Sequence, residues 1–129
     1  KAGVHMKKIM IIEDELNQQE AYKLKLAASY ELVFGQTGDE VPGLLQTNMP
    51  DLIILDVMLP GGQNGFDVLN TIKEDPKTSN IPVIMLTNLG EEQKETAINC
   101  GAAEFLNKTL IGPADLEKIL EKYLWPKFS

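Results

Sequence analysis

The chain has 129 residues, 43% of them hydrophobic and 24% charged, which is the composition of an ordinary folded domain and, at about 100–200 residues per domain, the length of one. Twelve basic against nineteen acidic residues give a formal charge of −7, which argues against direct contact with nucleic acid, itself a polyanion. Cys100 is the single cysteine, so an internal disulfide and a cysteine-built zinc site are excluded, in keeping with a reducing cytoplasm. No apolar run reaches the roughly 20 residues of a membrane span and no signal-peptide pattern opens the chain. Lys1 to His5, ahead of Met6, read as a vector-derived remnant without functional weight. The expected domain runs over 6–124, and residues 125–129 read as a C-terminal tail or the start of a linker.

Five short apolar runs recur along the chain. Ile9-Met10-Ile11-Ile12 is the first, and Leu16 to Ser29 follows as a helix whose apolar stripe is Ala21, Leu24 and Ala28 with Tyr22 and Leu26. The second run, Glu31-Leu32-Val33-Phe34, precedes a helical stretch from Glu40 to Asn48. There Pro42 is tolerable only in the first turn, and Gly43 costs about 1 kcal/mol relative to alanine. The third run, Leu52-Ile53-Ile54-Leu55, leads to a helix that starts at Gly65-Phe66-Asp67, carries Val68, Leu69 and Ile72, and ends before Pro76. After the fourth run, Pro82-Val83-Ile84-Met85-Leu86, the segment Glu91 to Cys100 has helix formers but few large apolar residues, and Gly101 is its expected stop. Cys100 reads as a small buried side chain near that end. Glu104-Phe105-Leu106 is the fifth run. Gly112-Pro113 then opens a last helix, with Leu116, Ile119, Leu120 and Tyr123 at i, i+3, i+4 and i+7.

Runs this short and without apolar/polar alternation are strands covered on both faces. Strand and helix alternate five times, which predicts an α/β domain: one parallel sheet with right-handed crossovers and helices on both faces, its site at the carboxyl ends of the strands. The polar residue after each run is therefore informative. Glu13-Asp14 follow the first, Asp56 the third, Thr87 the fourth and Lys108 the fifth. Carboxylates about 4 Å apart repel by about 4 kcal/mol per pair at an effective dielectric of 20, so either a cation or a proton must join them. Lys108 supplies one charge, and a hard divalent ion fits the remaining deficit. Magnesium suits a few carboxylates plus water and phosphate oxygens better than calcium, which wants more protein ligands.

At these residues the sequence resembles the receiver domain of two-component response regulators, from Met6 to about Leu124. The resemblance rests on Glu13-Asp14, on Asp56 in Leu55-Asp56-Val57-Met58-Leu59-Pro60-Gly61, on Thr87 in Met85-Leu86-Thr87, and on Lys108 in Gly101-Ala102-Ala103-Glu104-Phe105-Leu106-Asn107-Lys108. Taken singly, each has a bland explanation as a helix cap, a strand end or a surface charge; in order, each at a strand end, they specify one site. The resemblance implies a flavodoxin-like doubly wound sheet, strand order 2-1-3-4-5. It also implies that Asp56 accepts a phosphoryl group from a histidine kinase or histidine phosphotransfer protein. Mg2+ would then be held by Asp14, Asp56 and the Met58 main-chain carbonyl, with Glu13 acting through water. Lys108 would pair with the phosphoryl group. Thr87 would carry the switch hydroxyl and Phe105 the switch aromatic, swinging into the space that Thr87 vacates. The remodelled surface would meet a downstream effector protein or an effector domain absent from this chain, and a dimer through the fourth helix, fifth strand and fifth helix is a further implication. The domain would not be an enzyme beyond self-directed phosphotransfer and autodephosphorylation.

Departures from the family pattern bear on this. The loop Pro60 to Gly65 is one residue longer than usual, Thr109 stands where a proline is common, and Asn88 follows Thr87 where a smaller residue is usual. Met58 and Leu89 are apolar where fast-hydrolysing relatives carry polar residues, which predicts a long-lived phosphoryl group. Two competing readings are a pseudo-receiver that scaffolds without phosphorylation and, in a different class, a hydrolase with an aspartyl-phosphate intermediate. The latter usually has a second aspartate two residues after the nucleophile, a position held here by Met58. A flavin carrier is disfavoured by the acidic loop Glu13-Asp14-Glu15.

Overall fold

A computed structural model describes residues 6–88 and 90–125, apart from the side chain of Pro113. The readings made at Lys1 to His5, at Leu89 and at residues 126–129 lie outside the described residues. In chain order the elements are β1 (Lys8–Ile12), α1 (Leu16–Leu26), β2 (Glu31–Gly35), α2 (Val41–Thr47), β3 (Leu52–Asp56), α3 (Gly65–Glu74), β4 (Val83–Thr87), α4 (Lys94–Asn99), β5 (Glu104–Asn107) and α5 (Pro113–Leu124). Single 3-10 turns, Gly38–Glu40 and Glu91–Gln93, lead into α2 and α4. The five strands are parallel in the order β2-β1-β3-β4-β5, the flavodoxin-like arrangement that the resemblance implied.

The absence of alternation in the apolar runs has its cause here. Successive side chains of a strand point to opposite faces, and both faces of this sheet are covered. Met10, Ile12, Ile53, Leu55, Val83 and Met85 pack with Val41, Leu45, Val68, Leu69 and Ile72 on the face of α2 and α3. Ile9, Ile11, Leu52, Ile54, Ile84 and Leu86 pack with Tyr22 and Leu26 of α1 and with Leu116, Leu120 and Leu124 of α5. Every residue of β3 and β4 is buried in consequence, and each isoleucine or leucine fully withdrawn from water contributes roughly 1.5–3 kcal/mol.

The stripe of α1 differs from the one expected. The helix ends at Leu26 rather than Ser29, Leu24 is 88% exposed, and the buried residues are Gln19, Tyr22 and Leu26. Those three lie at i, i+3 and i+7, so the inward face is still a helical one. A polar residue occupies its first position because the Gln19 amide donates to the Glu13 main-chain oxygen at 2.8 Å. Further along, Pro42 does stand in the first turn of α2. Gly101 ends α4 with φ +109°, a backbone region that favours glycine, and Cys100 beside it is half-buried against the core rather than sealed within it. Among the described residues no helix is long and apolar enough to cross a membrane.

Candidate functional site

The register of the sheet assembles the site. Ile12 is level with Leu55, so Glu13, one step beyond β1, stands level with Asp56 at the end of β3. Asp56 is level with Leu86, and Thr87, next along β4, is level with Asn107. Lys108 follows Asn107 and is tied back to the sheet by its amide, which donates to the Thr87 carbonyl at 2.8 Å.

From there the Lys108 ammonium donates to Glu13 Oε1 at 2.8 Å and to Asp56 Oδ2 at 2.9 Å. The remaining oxygens are held by main chain: Glu13 Oε2 accepts from the Glu15 amide at 3.1 Å and Asp56 Oδ1 from the Met58 amide at 3.2 Å. Glu13 and Asp56 are 2% and 8% exposed, so the bridge is nearly closed to water. Burial raises the Glu13 pKa above the ordinary glutamate value, although the hydrogen bond from Lys108 opposes it. Burial works against the Lys108 ammonium too, but its bonds to Glu13 and Asp56 outweigh this and hold its pKa above the lysine range.

Asp14 completes the acidic group. One carboxylate oxygen from each of Glu13, Asp14 and Asp56 lies within 4.8 Å of the other two, and the half-buried Asp14 carboxylate has no hydrogen bond or ion pair among the described residues. Three carboxylates face one ammonium. This hard, oxygen-only donor set with a negative surplus fits a divalent cation such as magnesium or calcium and does not suit a soft metal.

The loop after β3 is shaped to keep this arrangement. It turns between Pro60 and Asn64, with Gly61 at φ +93°. Asn64 then caps α3, its Oδ1 accepting from the Asp67 amide at 3.0 Å while Asp67 Oδ2 accepts from the Asn64 amide at 3.0 Å. Gly65 presses against the phosphoacceptor candidate itself. A Cβ there would overlap the Asp56 carbonyl oxygen and lie 2.8 Å from Val57 Cα. Where a proline was looked for after Lys108, the Thr109 amide and hydroxyl both donate to Asn107 Oδ1, at 2.8 and 2.6 Å, and the peptide bond is trans.

The structure therefore gathers Glu13, Asp14, Asp56 and Lys108, with Met58 engaged through its main chain and its side chain 64% exposed. Thr87 is fully buried at the adjoining strand end. Phe105 is not in the pocket. It is level with Met85 and is already buried, in the cluster that includes Ala97 and Ala102. Gln19 was missed by sequence reasoning, although a glutamine in register with Tyr22 and Leu26 was a sign that something inside needed a hydrogen bond.

The family of the response regulator receiver domain matches residues 9–121, and the chain belongs to it. Response regulator PleD of Caulobacter vibrioides is 33% identical over 105 residues, 80% of this chain and 23% of that protein. The polar-differentiation response regulator DivK of Brucella ovis is 34% identical over 115 residues, 88% of this chain and 93% of that one. A crystal structure of a putative response regulator from Chloroflexus aurantiacus has a TM-score of 0.84 at 28% identity, covering 92% of this chain and 98% of that chain. The chain spans between 23% and 49% of the length of the first curated relatives it matches. Receiver domains are signalling phosphoacceptors, generally not enzymes; they bind a divalent metal at an acidic cluster and interact with histidine kinases and effector domains.

Proposed function

We propose that the domain is a magnesium-dependent switch phosphorylated on Asp56 by a histidine kinase or histidine phosphotransfer protein in the cytoplasm. An Asp56 carboxylate oxygen forms a bond to phosphorus as the bond from phosphorus to the donor imidazole nitrogen breaks, and the imidazole leaves with that electron pair. Asp14, Asp56 and the Met58 carbonyl would hold the metal. Glu13, with both oxygens already engaged by Lys108 and the Glu15 amide, suits the outer sphere. Magnesium, when bound, neutralises charge on the transferring phosphoryl group. Lys108 sits where an ammonium can follow the charge from the Asp56 carboxylate to the phosphoryl oxygens.

The product adds close to two negative charges and oxygens that seek donors. Thr87 supplies a hydroxyl one strand away, and its movement would pass to the face of α4, β5 and α5, which meets an effector or a second receiver. Phe105, buried one strand further along, would be the aromatic partner of that switch, its ring adjusting into the space that the Thr87 side chain leaves.

The observation that carries this reading is the Lys108 ammonium shared between Glu13 and Asp56 beside the Asp14 carboxylate, which has no partner among the described residues. Incubation with acetyl phosphate and magnesium should add about 80 Da, one phosphoryl group, to the wild type and nothing to Asp56→Ala. An unmodified wild type makes the domain a pseudo-receiver scaffold; continuous release of phosphate from small esters makes it a hydrolase.

A further inference from the structure

Beside the acidic pocket, on the other side of Lys108, a cavity of about 250 Å³ opens between α1 and the segment that leads from β5 into α5. Ala21, Leu86, Ile111 and Leu116 give it an apolar floor, and Tyr22, Lys25 and Lys108 bring polar groups to it. Tyr22 is 9% exposed, and its hydroxyl makes no hydrogen bond among the described residues. Every side-chain polar atom sealed from solvent does have a partner among those residues, so this hydroxyl reaches solvent, and Tyr22 is part of the cavity lining. Burial pushes its pKa up to about 12, which keeps it protonated and able to donate. Lys25, on the next turn of α1, is exposed and has no ion-pair partner among the described residues.

The chain carries −7 overall, yet no carboxylate lines this space; of its two lysines Lys108 is bonded to Glu13 and Asp56, so Lys25 is the cation left for a ligand. The cavity volume exceeds the roughly 150 Å³ that admits benzene in another protein, and falls short of a drug-sized pocket. A buried donor without a partner, a free ammonium at the rim and an apolar floor are the three groups a small amphipathic anion would use.

We propose that the cavity between α1 and α5 binds a small organic anion, a carboxylate or phosphate monoester on an apolar body about one ring in size. The body lies on Leu86 and Leu116, and the charged end takes the Tyr22 hydroxyl and the Lys25 ammonium. This is separate from phosphoryl transfer at Asp56 and holds whether or not that transfer occurs.

The test is a titration of the full, unphosphorylated chain with benzoate, followed by amide NMR. Saturable shifts are expected at Ala21, Tyr22, Ile111 and Gly112. Benzyl alcohol, which lacks the charge, and inorganic phosphate, which lacks the body, should bind at least about tenfold more weakly. Tyr22→Phe should weaken benzoate about fivefold to tenfold with an unchanged urea midpoint, since the hydroxyl has no partner to lose. Ala21→Leu, which fills the space, should abolish the shifts. No saturation below about 10 mM overturns the proposal. So does equal binding of benzyl alcohol, or full affinity in both variants.

Discussion

Replacing Lys108 with methionine keeps most of the side chain's bulk and removes the one ammonium between Glu13 and Asp56. Two bonds of 2.8 and 2.9 Å to nearly buried carboxylates are lost. Charge-assisted bonds are worth roughly 1.5–3 kcal/mol each, and breaking a buried pair costs about 3–5 kcal/mol. The Lys108 side chain retains 15% exposure, so water screens part of this, and Glu13 can relieve more by taking up a proton. The expected loss at pH 7 is about 2–4 kcal/mol, or roughly 8–16 °C in Tm at about 4 °C per kcal/mol. Its pH dependence has a definite sign. Glu13 already has a folded pKa above its ordinary 4.5 because of burial, and without Lys108 that pKa rises further. A raised carboxyl favours the fold below its unfolded pKa and loses that advantage as pH climbs through the folded value. The deficit of Lys108→Met should therefore be small near pH 4.5 and grow towards neutrality. Lys108 itself, raised above 10.5 by its carboxylate partners, stabilises the wild type across the neutral range and stops doing so as pH rises through its folded pKa. Urea unfolding of both proteins at pH 5 and pH 7, without and with about 10 mM magnesium, reads all of this, and the metal should stabilise the variant more than the wild type. A deficit under about 0.5 kcal/mol at pH 7, or an equal one at pH 5, refutes the account of the site.

Gly65→Ala should destabilise the fold by about 2 kcal/mol or more and slow phosphorylation by acetyl phosphate, because its Cβ meets the Asp56 main chain. By contrast, a Cβ at Gly43, in α2, meets nothing within 4 Å, and Gly43→Ala should raise stability by about 0.5–1 kcal/mol in the same urea assay. Thr87→Ala should still gain the phosphoryl mass but show amide shift changes confined to the pocket, whereas in the wild type they extend across α4, β5 and α5. The phosphorylated protein should have a half-life of minutes or longer in magnesium, since the exposed Met58 side chain cannot orient water; Met58→Asn should shorten it severalfold, and a wild-type half-life of seconds contradicts the assignment.

The sheet was legible because a strand covered on both faces needs apolar residues at every position, and Leu52 to Leu55 and Val83 to Leu86 supply them. The site was legible for a related reason: a parallel sheet brings its carboxyl ends together, so polar residues just past apolar runs converge whatever their separation in sequence. Helix faces were harder. Leu24 belongs to an apolar pattern by composition yet points outward, while Gln19 points inward because the Glu13 carbonyl needs a donor there, a demand visible only in three dimensions. Phe105 was legible as apolar, but its place in one buried cluster with Ala97 and Ala102 depends on how α4 and β5 come together. Loop chemistry was the least readable: Asn107 closes the turn at Thr109, a task a proline performs by covalent restraint.

The Lys108 ammonium reaches across 95 positions to Glu13 and 52 to Asp56. The cluster is therefore complete only once β5 has joined the sheet, and a chain cut before Lys108 leaves Glu13 and Asp56 without the cation they share.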